Sequence, residues 1–166
     1  MAANKYVSQS SGKLKEVYAS VTSTANAIVA ADSTGRIDAS MMPVGIGAEI
    51  VTAVASEAMS AGAFVNLYSN AGVLNARNAD CTTNGKKAHG FVIAAVASAG
   101  TASVYTVSQA NTQLTGLVAG SDYFLSTIGS ISITPPSSTG NLVQQVGVAA
   151  TTTSLVFSNL VTIEIA

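Results

Sequence analysis

The residues of this chain that could do nucleophilic or acid–base chemistry are few, because the sequence has one histidine, His89, and one cysteine, Cys81. His89 could act as a general base, but the only potential catalytic partners near it in the sequence are Asp80 and Cys81. No Ser-His-Asp or Cys-His spacing includes it. Cys81 precedes a polar loop whose Lys86 and Lys87 could lower the pKa of the thiol. We interpret His89 as a structural histidine at the start of a strand and Cys81 as a small loop residue.

The pattern for a metal or phosphate site is incomplete. The segment from Asp32 to Asp38 has a glycine at its turn, but it lacks the alternating oxygen ligands and the terminal Glu of a calcium loop. No glycine-rich phosphate loop follows a strand and opens a helix, and eight thinly spread acidic residues supply few carboxylate pairs. The sequence predicts no catalytic residue, no metal and no cofactor. Lys86 and Lys87 are interpreted as a solvated loop tip, with contact to an acidic partner surface as the alternative.

The composition narrows the possible functions further. Of the 166 residues, 9% are charged and 48% are hydrophobic, and the net charge is −1, whereas about 25% of an average soluble protein is charged. A chain of this charge is not steered to nucleic acid by phosphate attraction. Its apolar stretches are too short to span a membrane, and its first residues lack the apolar run of a signal peptide. We expect a soluble protein that carries a Ser/Thr-rich surface or buries much of its surface in an assembly.

The uneven distribution of charged residues along the chain predicts two parts. After Lys87 the charged residues are Asp122 and Glu164. Residues 1–47 have few large apolar residues, and we predict an extended attachment arm that is ordered mainly by what it contacts. The alternative is a helix over 13–21, packed on its own domain and based on the helical spacing of the apolar residues there.

Residues 48–166 have the pattern of an all-β domain. Short runs rich in Val, Ile, Thr, Tyr and Phe recur between Gly, Asn and Ser clusters. The predicted strands are Glu49–Ala55, Ala63–Tyr68, Val73–Ala79, His89–Val96, Thr101–Val107, Asp122–Thr127, Ser130–Thr134, Leu142–Ala149, Ser154–Phe157 and Val161–Ile165. We predict a β-sandwich or small β-barrel.

Local signals refine this prediction. Asn70-Ala71-Gly72 and Ile128-Gly129-Ser130 are typical of hairpin turns, and Pro135-Pro136 should end the strand before it. The run 91–96 is apolar without alternation, which predicts a central strand covered on both faces. The segment Ala53–Gly62 contains helix-favouring residues, and we interpret it as a strand end followed by a loop.

Two segments resemble structural proteins of tailed-bacteriophage virions. Residues 31–43, ADSTGRIDASMMP, resemble the "DGxGKIDxSLLP" segment that often lies between an attachment arm and a β domain, with Met41-Met42 in place of the usual leucine pair. That exchange conserves volume. The second segment is similar to a β module of phage capsid decoration (cement), head-fibre and tail-fibre proteins. It consists of His89–Val96, Leu114–Leu117, Gly120, Tyr123–Ser126, Thr134–Pro136, Gly140 and Val143–Gly147.

The resemblance implies a non-enzymatic capsid decoration protein. Because the module is nearly the whole chain and no fibre repeat or coiled coil accompanies it, we expect a small homotrimer on the outer capsid surface that binds the major capsid protein. The slightly basic arm could meet an acidic capsid surface. The residues predicted to attach are Lys5, Lys13, Lys15, Tyr18 and Arg36.

Two alternatives come from other functional classes. A head-fibre or tail-fibre component could recognise host glycans through exposed aromatic residues, for which the candidates are Tyr68, Tyr105 and Tyr123. A hydrolase would need His89 beside a carboxylate in a cleft.

Overall fold

The computed structural model describes residues 5–20, 28–31, 33, 35–37, 49–106 and 108–166. The chain divides into two compact units, Met1–Gly47 and Ala48–Ala166. Within the described residues all regular elements are β-strands, which confirms the predicted all-β class. That part of the chain contains no helix long and apolar enough to cross a membrane.

The first unit is a three-stranded sheet. Strands β1 (Lys5–Ser10) and β2 (Lys13–Ser20) form an antiparallel hairpin, and β3 (Ile28–Val29) runs parallel to β2. Ser11 and Gly12, with φ of 52° and 75°, make the two-residue turn, and such a turn matches the twist of the strands it joins.

The alternative prediction for this unit is therefore wrong. The helix over 13–21 is not formed, because the Ser-Gly turn folds β2 back onto β1 and the two strands pair through their backbones; Val21 itself lies outside the described residues. That the arm is ordered mainly by what it contacts stays a prediction.

The second unit begins with a small closed barrel, one of the two architectures that the sequence predicted. Its strands are β4 (Ile50–Ala55), β5 (Phe64–Asn70), β6 (Val73–Asn78), β7 (Gly90–Phe91) and β8 (Thr101–Tyr105), which close in the order β4-β6-β5-β7-β8. A barrel of so few strands has a narrow interior that only small side chains can fill. The buried residues inside are accordingly mostly Ala and Val: Ala53, Ala55, Met59, Ala63, Val65, Ala76, Val92, Ala102 and Val104.

A five-stranded antiparallel sheet follows the barrel. Its strands are β9 (Ala110–Asn111), β10 (Asp122–Leu125), β11 (Ile131–Ser132), β13 (Gln145–Ala149) and β14 (Leu155–Phe157), in the order β11-β10-β13-β14-β9. Strand β12 (Leu142–Val143) pairs separately with β15 (Ile163–Glu164).

A second core joins the barrel to this sheet. The ring of Phe157 on β14 lies 5.9 Å from that of Phe64 on β5 and 6.1 Å from that of Phe91 on β7, measured between centroids. Leu125, Val146 and Leu155 are buried in the same cluster. The aromatic contacts fix the sheet against one side of the barrel.

Both predicted turns are present. Ala71 and Gly72 connect β5 to β6 with φ of 50° and 83°, and Ile128 and Gly129 have φ of 48° and 70° between β10 and β11. Strand β11 ends at Ser132, before the two prolines. The segment 53–62 is a strand end and a loop, as expected.

The predicted central strand over 91–96 is mostly wrong. Regular strand ends at Phe91, and Ala94 and Ala95 are exposed. After Phe91 the chain leaves the strand pairing of the barrel, because its backbone hydrogen-bonds to the loop before β5 instead. Val92 exchanges hydrogen bonds with that loop at Gly62 and Ala63 (2.8 and 3.0 Å), and Val96 bridges to Met59.

Candidate functional site

The predicted attachment residues lie in the first unit, four of them on the β1–β2 hairpin. The β1–β2 register pairs Lys5 with Tyr18, Ser8 with Lys15 and Ser10 with Lys13. Lys13 and Arg36 are exposed. The attachment role of these residues stays a prediction.

His89 occupies a structural position just before β7. Its Nδ1 accepts a hydrogen bond from the Leu67 backbone N–H at 3.0 Å, and the Asn66 Nδ2 lies 3.4 Å away. An Nδ1 that accepts from a backbone donor requires the neutral imidazole. Burial, and after it the charge of Lys87, lowers the pKa of His89. The ring therefore anchors β5 to the loop before β7.

We expect this histidine to make folding pH-dependent. Because its folded pKa lies below the ordinary value of 6.5, its contribution to stability is complete above pH 6.5 and is lost as the pH falls from 6.5 toward the lower folded pKa. Urea unfolding of the wild type and of His89→Asn, which keeps a short acceptor, should be compared at pH 7.5 and 5.0. The wild-type midpoint should fall more than that of the variant, and equal declines would contradict the role.

The cavity at this end of the barrel brings His89 and the carboxylate of Glu49 into one lining. It measures about 650 Å³ and is lined by Glu49, Ile50, Val51, Leu67, His89, Thr106 and Asn159. His89 and a carboxylate thus share a cleft, as the hydrolase alternative required. The hydroxyl of Thr106 in this lining is bonded to the backbone oxygen of Glu49 at 3.1 Å. The hydrolase alternative stays an untested prediction.

Cys81 does not have the environment of a reactive thiol. It is buried, and burial followed by the charge of Asp80 raises the pKa of its thiol, the reverse of what the alternative based on Lys86 and Lys87 needed. Of these two lysines, Lys87 is exposed and Lys86 is half-buried. Contact of this loop with an acidic partner stays a prediction.

Within the described ranges, no three His, Cys, Asp or Glu side chains lie close enough together to hold a metal ion. Asp32 and Asp38, the ends of the calcium-like segment, lie outside those ranges.

The three tyrosines proposed for glycan binding do not form an exposed platform. Tyr123 is buried, and its hydroxyl accepts from the Val118 backbone N–H at 3.0 Å. Tyr105 is half-buried and stacks on Phe91 with centroids 5.6 Å apart. Tyr68 is half-buried, and the Arg77 guanidinium lies over its ring at 4.3 Å. Since each ring already has a structural contact, the glycan alternative loses its main support and stays an untested prediction.

A polar side chain that the sequence did not single out holds the second unit together. Gln144 is fully buried, and its Oε1 accepts from the Ala88 N–H at 2.7 Å while its Nε2 donates to the Ala88 carbonyl at 2.8 Å. The side-chain amide of Gln144 thus pairs with both backbone groups of Ala88, as a neighbouring strand would. The one signal in the sequence was two adjacent glutamines, of which one must point inward from an extended segment.

The outer side of β4 and β8 carries no charge. Their ladder places Ile50 opposite Tyr105, Thr52 opposite Ser103 and Val54 opposite Thr101. The side chains of Ile50 and Val54 are 44% and 42% exposed. We call these six residues the uncharged face. Charge depletion over an exposed apolar surface is typical of the centre of a protein interface.

Comparisons with known proteins give one structural likeness. No protein-family model matches the sequence, and no curated protein matches it. The structure is similar to that of the head fiber gp8.5 N base in bacteriophage phi29, with a TM-score of 0.41 and 14% sequence identity over 68% of this chain and 97% of that one.

Proposed function

We propose that this chain is a non-enzymatic structural protein of a tailed-phage virion, and specifically a decoration (cement) protein that binds the major capsid protein on the outer surface of the head. The observation that carries the proposal is the resemblance of residues 31–43 and 89–147 to virion proteins. In the structure, the second of these segments contributes Phe91, Leu125 and Val146 to the core between barrel and sheet. The resemblance therefore includes residues that pack the β module.

The physical properties of the described surface support this role. A cement protein acts by adding buried area across the joints between capsid subunits, and it needs no catalytic group. A self-paired hairpin with an exposed Lys13 can bind an acidic surface without a large cost of ordering its backbone. Many copies on one shell would make weak individual contacts collectively strong.

We further propose that copies of the chain associate, as a homotrimer. The uncharged face leaves Ile50 and Val54 in water, and a contact between copies would remove them from it. A closed assembly would also cover the edges of the five-stranded sheet, β11 and β9, which otherwise invite irregular pairing.

The test measures binding of the full chain and of residues 48–166 to capsids that lack this protein. Deletion of residues 1–47 should weaken binding by on the order of 100-fold or more, because the predicted contact is lost. Lys13→Glu with Lys15→Glu in the full chain should weaken it about tenfold. Lys86→Glu with Lys87→Glu makes the same charge change in the other unit and separates the two basic regions. Normal binding of this variant assigns attachment to the arm, and binding weakened as much as in the arm variant contradicts that assignment in favour of the Lys86–Lys87 loop.

Circular dichroism must show that residues 48–166 remain folded. If this folded unit still saturates capsids at the wild-type affinity, the arm is not the anchor. If the full chain binds no capsid, the decoration role itself is wrong.

A further inference from the structure

We propose that copies of this chain bind head to tail, with the C-terminal segment of one copy seated in an uncharged groove on the barrel of the next. The C-terminal segment is residues 159–163, and the groove lies between residues 93–100 and β8. This inference rests on the proposed association of copies, and it names the two surfaces that make the contact.

The groove is large enough for side chains and has no charge. It encloses about 460 Å³ and is lined by Ile93, Ala94, Ala95, Val96, Ala97, Gly100, Thr101, Ser103 and Tyr105. Hydroxyl groups are the polar side-chain groups of this lining. Thr101, Ser103 and Tyr105 also belong to the uncharged face, so groove and face are continuous. The sequence has no Asp, Glu, Lys or Arg from residue 88 to residue 121, and a charged partner would find nothing to pair with here.

The C-terminal segment is the complementary surface. Leu160, Val161 and Ile163 are 47%, 85% and 64% exposed, so three large apolar side chains within four residues project into water. A single exposed apolar residue is ordinary, whereas a cluster of them marks a contact site. No charged residue lies between Asp122 and Glu164, so residues 159–163 are as free of charge as the groove.

A second copy of the chain is the occupant that these observations favour. Each copy exposes both an apolar groove and an apolar segment, and one contact between copies removes both from water. The two surfaces differ, so the contact is heterologous. Such a contact forms a closed ring when its rotation suits, and a three-membered ring is the case that matches the proposed trimer.

The experiment is light scattering after size exclusion on the full chain and on variants. The wild type should have three times the chain mass of 16.6 kDa. Val161→Asp and Ala95→Asp should each fall to the mass of one chain at the same concentration, because each buries an unpaired carboxylate in the contact. Val118→Asp is the matched control. Val118 is also apolar and 57% exposed, it lies outside both surfaces, and the mass should not change.

A charge pair tests the head-to-tail geometry directly. Ala95→Lys combined with Val161→Asp in one chain should recover the oligomer that Val161→Asp alone loses, since the lysine of one copy then meets the carboxylate of the next. Circular dichroism must show that every variant is folded. An oligomer that persists in folded Val161→Asp overturns the proposed surfaces and leaves association standing. A wild type with the mass of one chain overturns both, while capsid binding tests the decoration role separately.

Discussion

Gly147→Ala should lower the free energy of unfolding by about 3 kcal/mol or more. A Cβ on Gly147 would lie 2.1 Å from the Val156 backbone oxygen and 2.6 Å from Leu155 Cδ2. The obstacle is backbone in the centre of the five-stranded sheet, where β13 pairs with β14, so relief requires the strands to separate. A small domain has only about 5–15 kcal/mol in total.

The matched control is Gly116→Ala. Gly116 has a positive φ of 71°, but a Cβ there meets nothing within 4 Å, so the cost should be the conformational one of about 1–2 kcal/mol. Urea unfolding followed by far-ultraviolet circular dichroism measures both. Equal shifts in the two midpoints would show that the close approach at Gly147 does not matter.

Gln144→Met should lower the free energy of unfolding by about 2–5 kcal/mol, although methionine fills a similar volume. The loss comes from the N–H and carbonyl of Ala88, which are fully buried and bond to the Gln144 amide across 56 residues of sequence. Without that amide each group is left unsatisfied, at about 1–3 kcal/mol apiece.

Gln145→Met is the neighbouring control. Its side chain donates to Asp122 at 2.7 Å on the outside of the sheet, and we expect a cost of about 0.5 kcal/mol or less. Hydrogen exchange at the Ala88 amide gives an independent readout, because Gln144→Met should accelerate it more than global destabilisation does. Slow exchange retained in that variant would mean that Ala88 has found another acceptor.

The sequence predicted those parts of the fold that depend on local chemistry. The turns at Ala71-Gly72 and Ile128-Gly129 require backbone conformations with positive φ, and glycine marks such positions. The Ser11-Gly12 turn carries the same kind of signal, and reading it would have replaced the helix over 13–21 with a hairpin.

The long-range contacts could not be predicted in this way. The run 91–96 has the composition of a central strand, but its backbone partners are Met59, Gly62 and Ala63, and nothing within the run specifies them. Glutamine is mostly exposed in proteins, so the burial of Gln144 depends on the unpaired backbone at Ala88. The sequence also does not show which face of β10 is covered, and Tyr123 was therefore a candidate surface residue although its side chain is buried.

The strand pairings described above lead us to expect that the β1–β2 hairpin forms before the barrel closes. The β1–β2 hairpin needs only neighbours in sequence, and hairpins form within about 1–10 μs. The barrel closes only when β4 meets β8, which brings Ile50 to Tyr105 and Val54 to Thr101, and such distant pairings slow folding to milliseconds or longer. During this interval the apolar inner faces of β4 and β8 lack their cover. A nascent chain therefore exposes these apolar faces until residues 50–105 are complete. We expect aggregation of such incomplete chains to be the first cause of a low yield of folded protein.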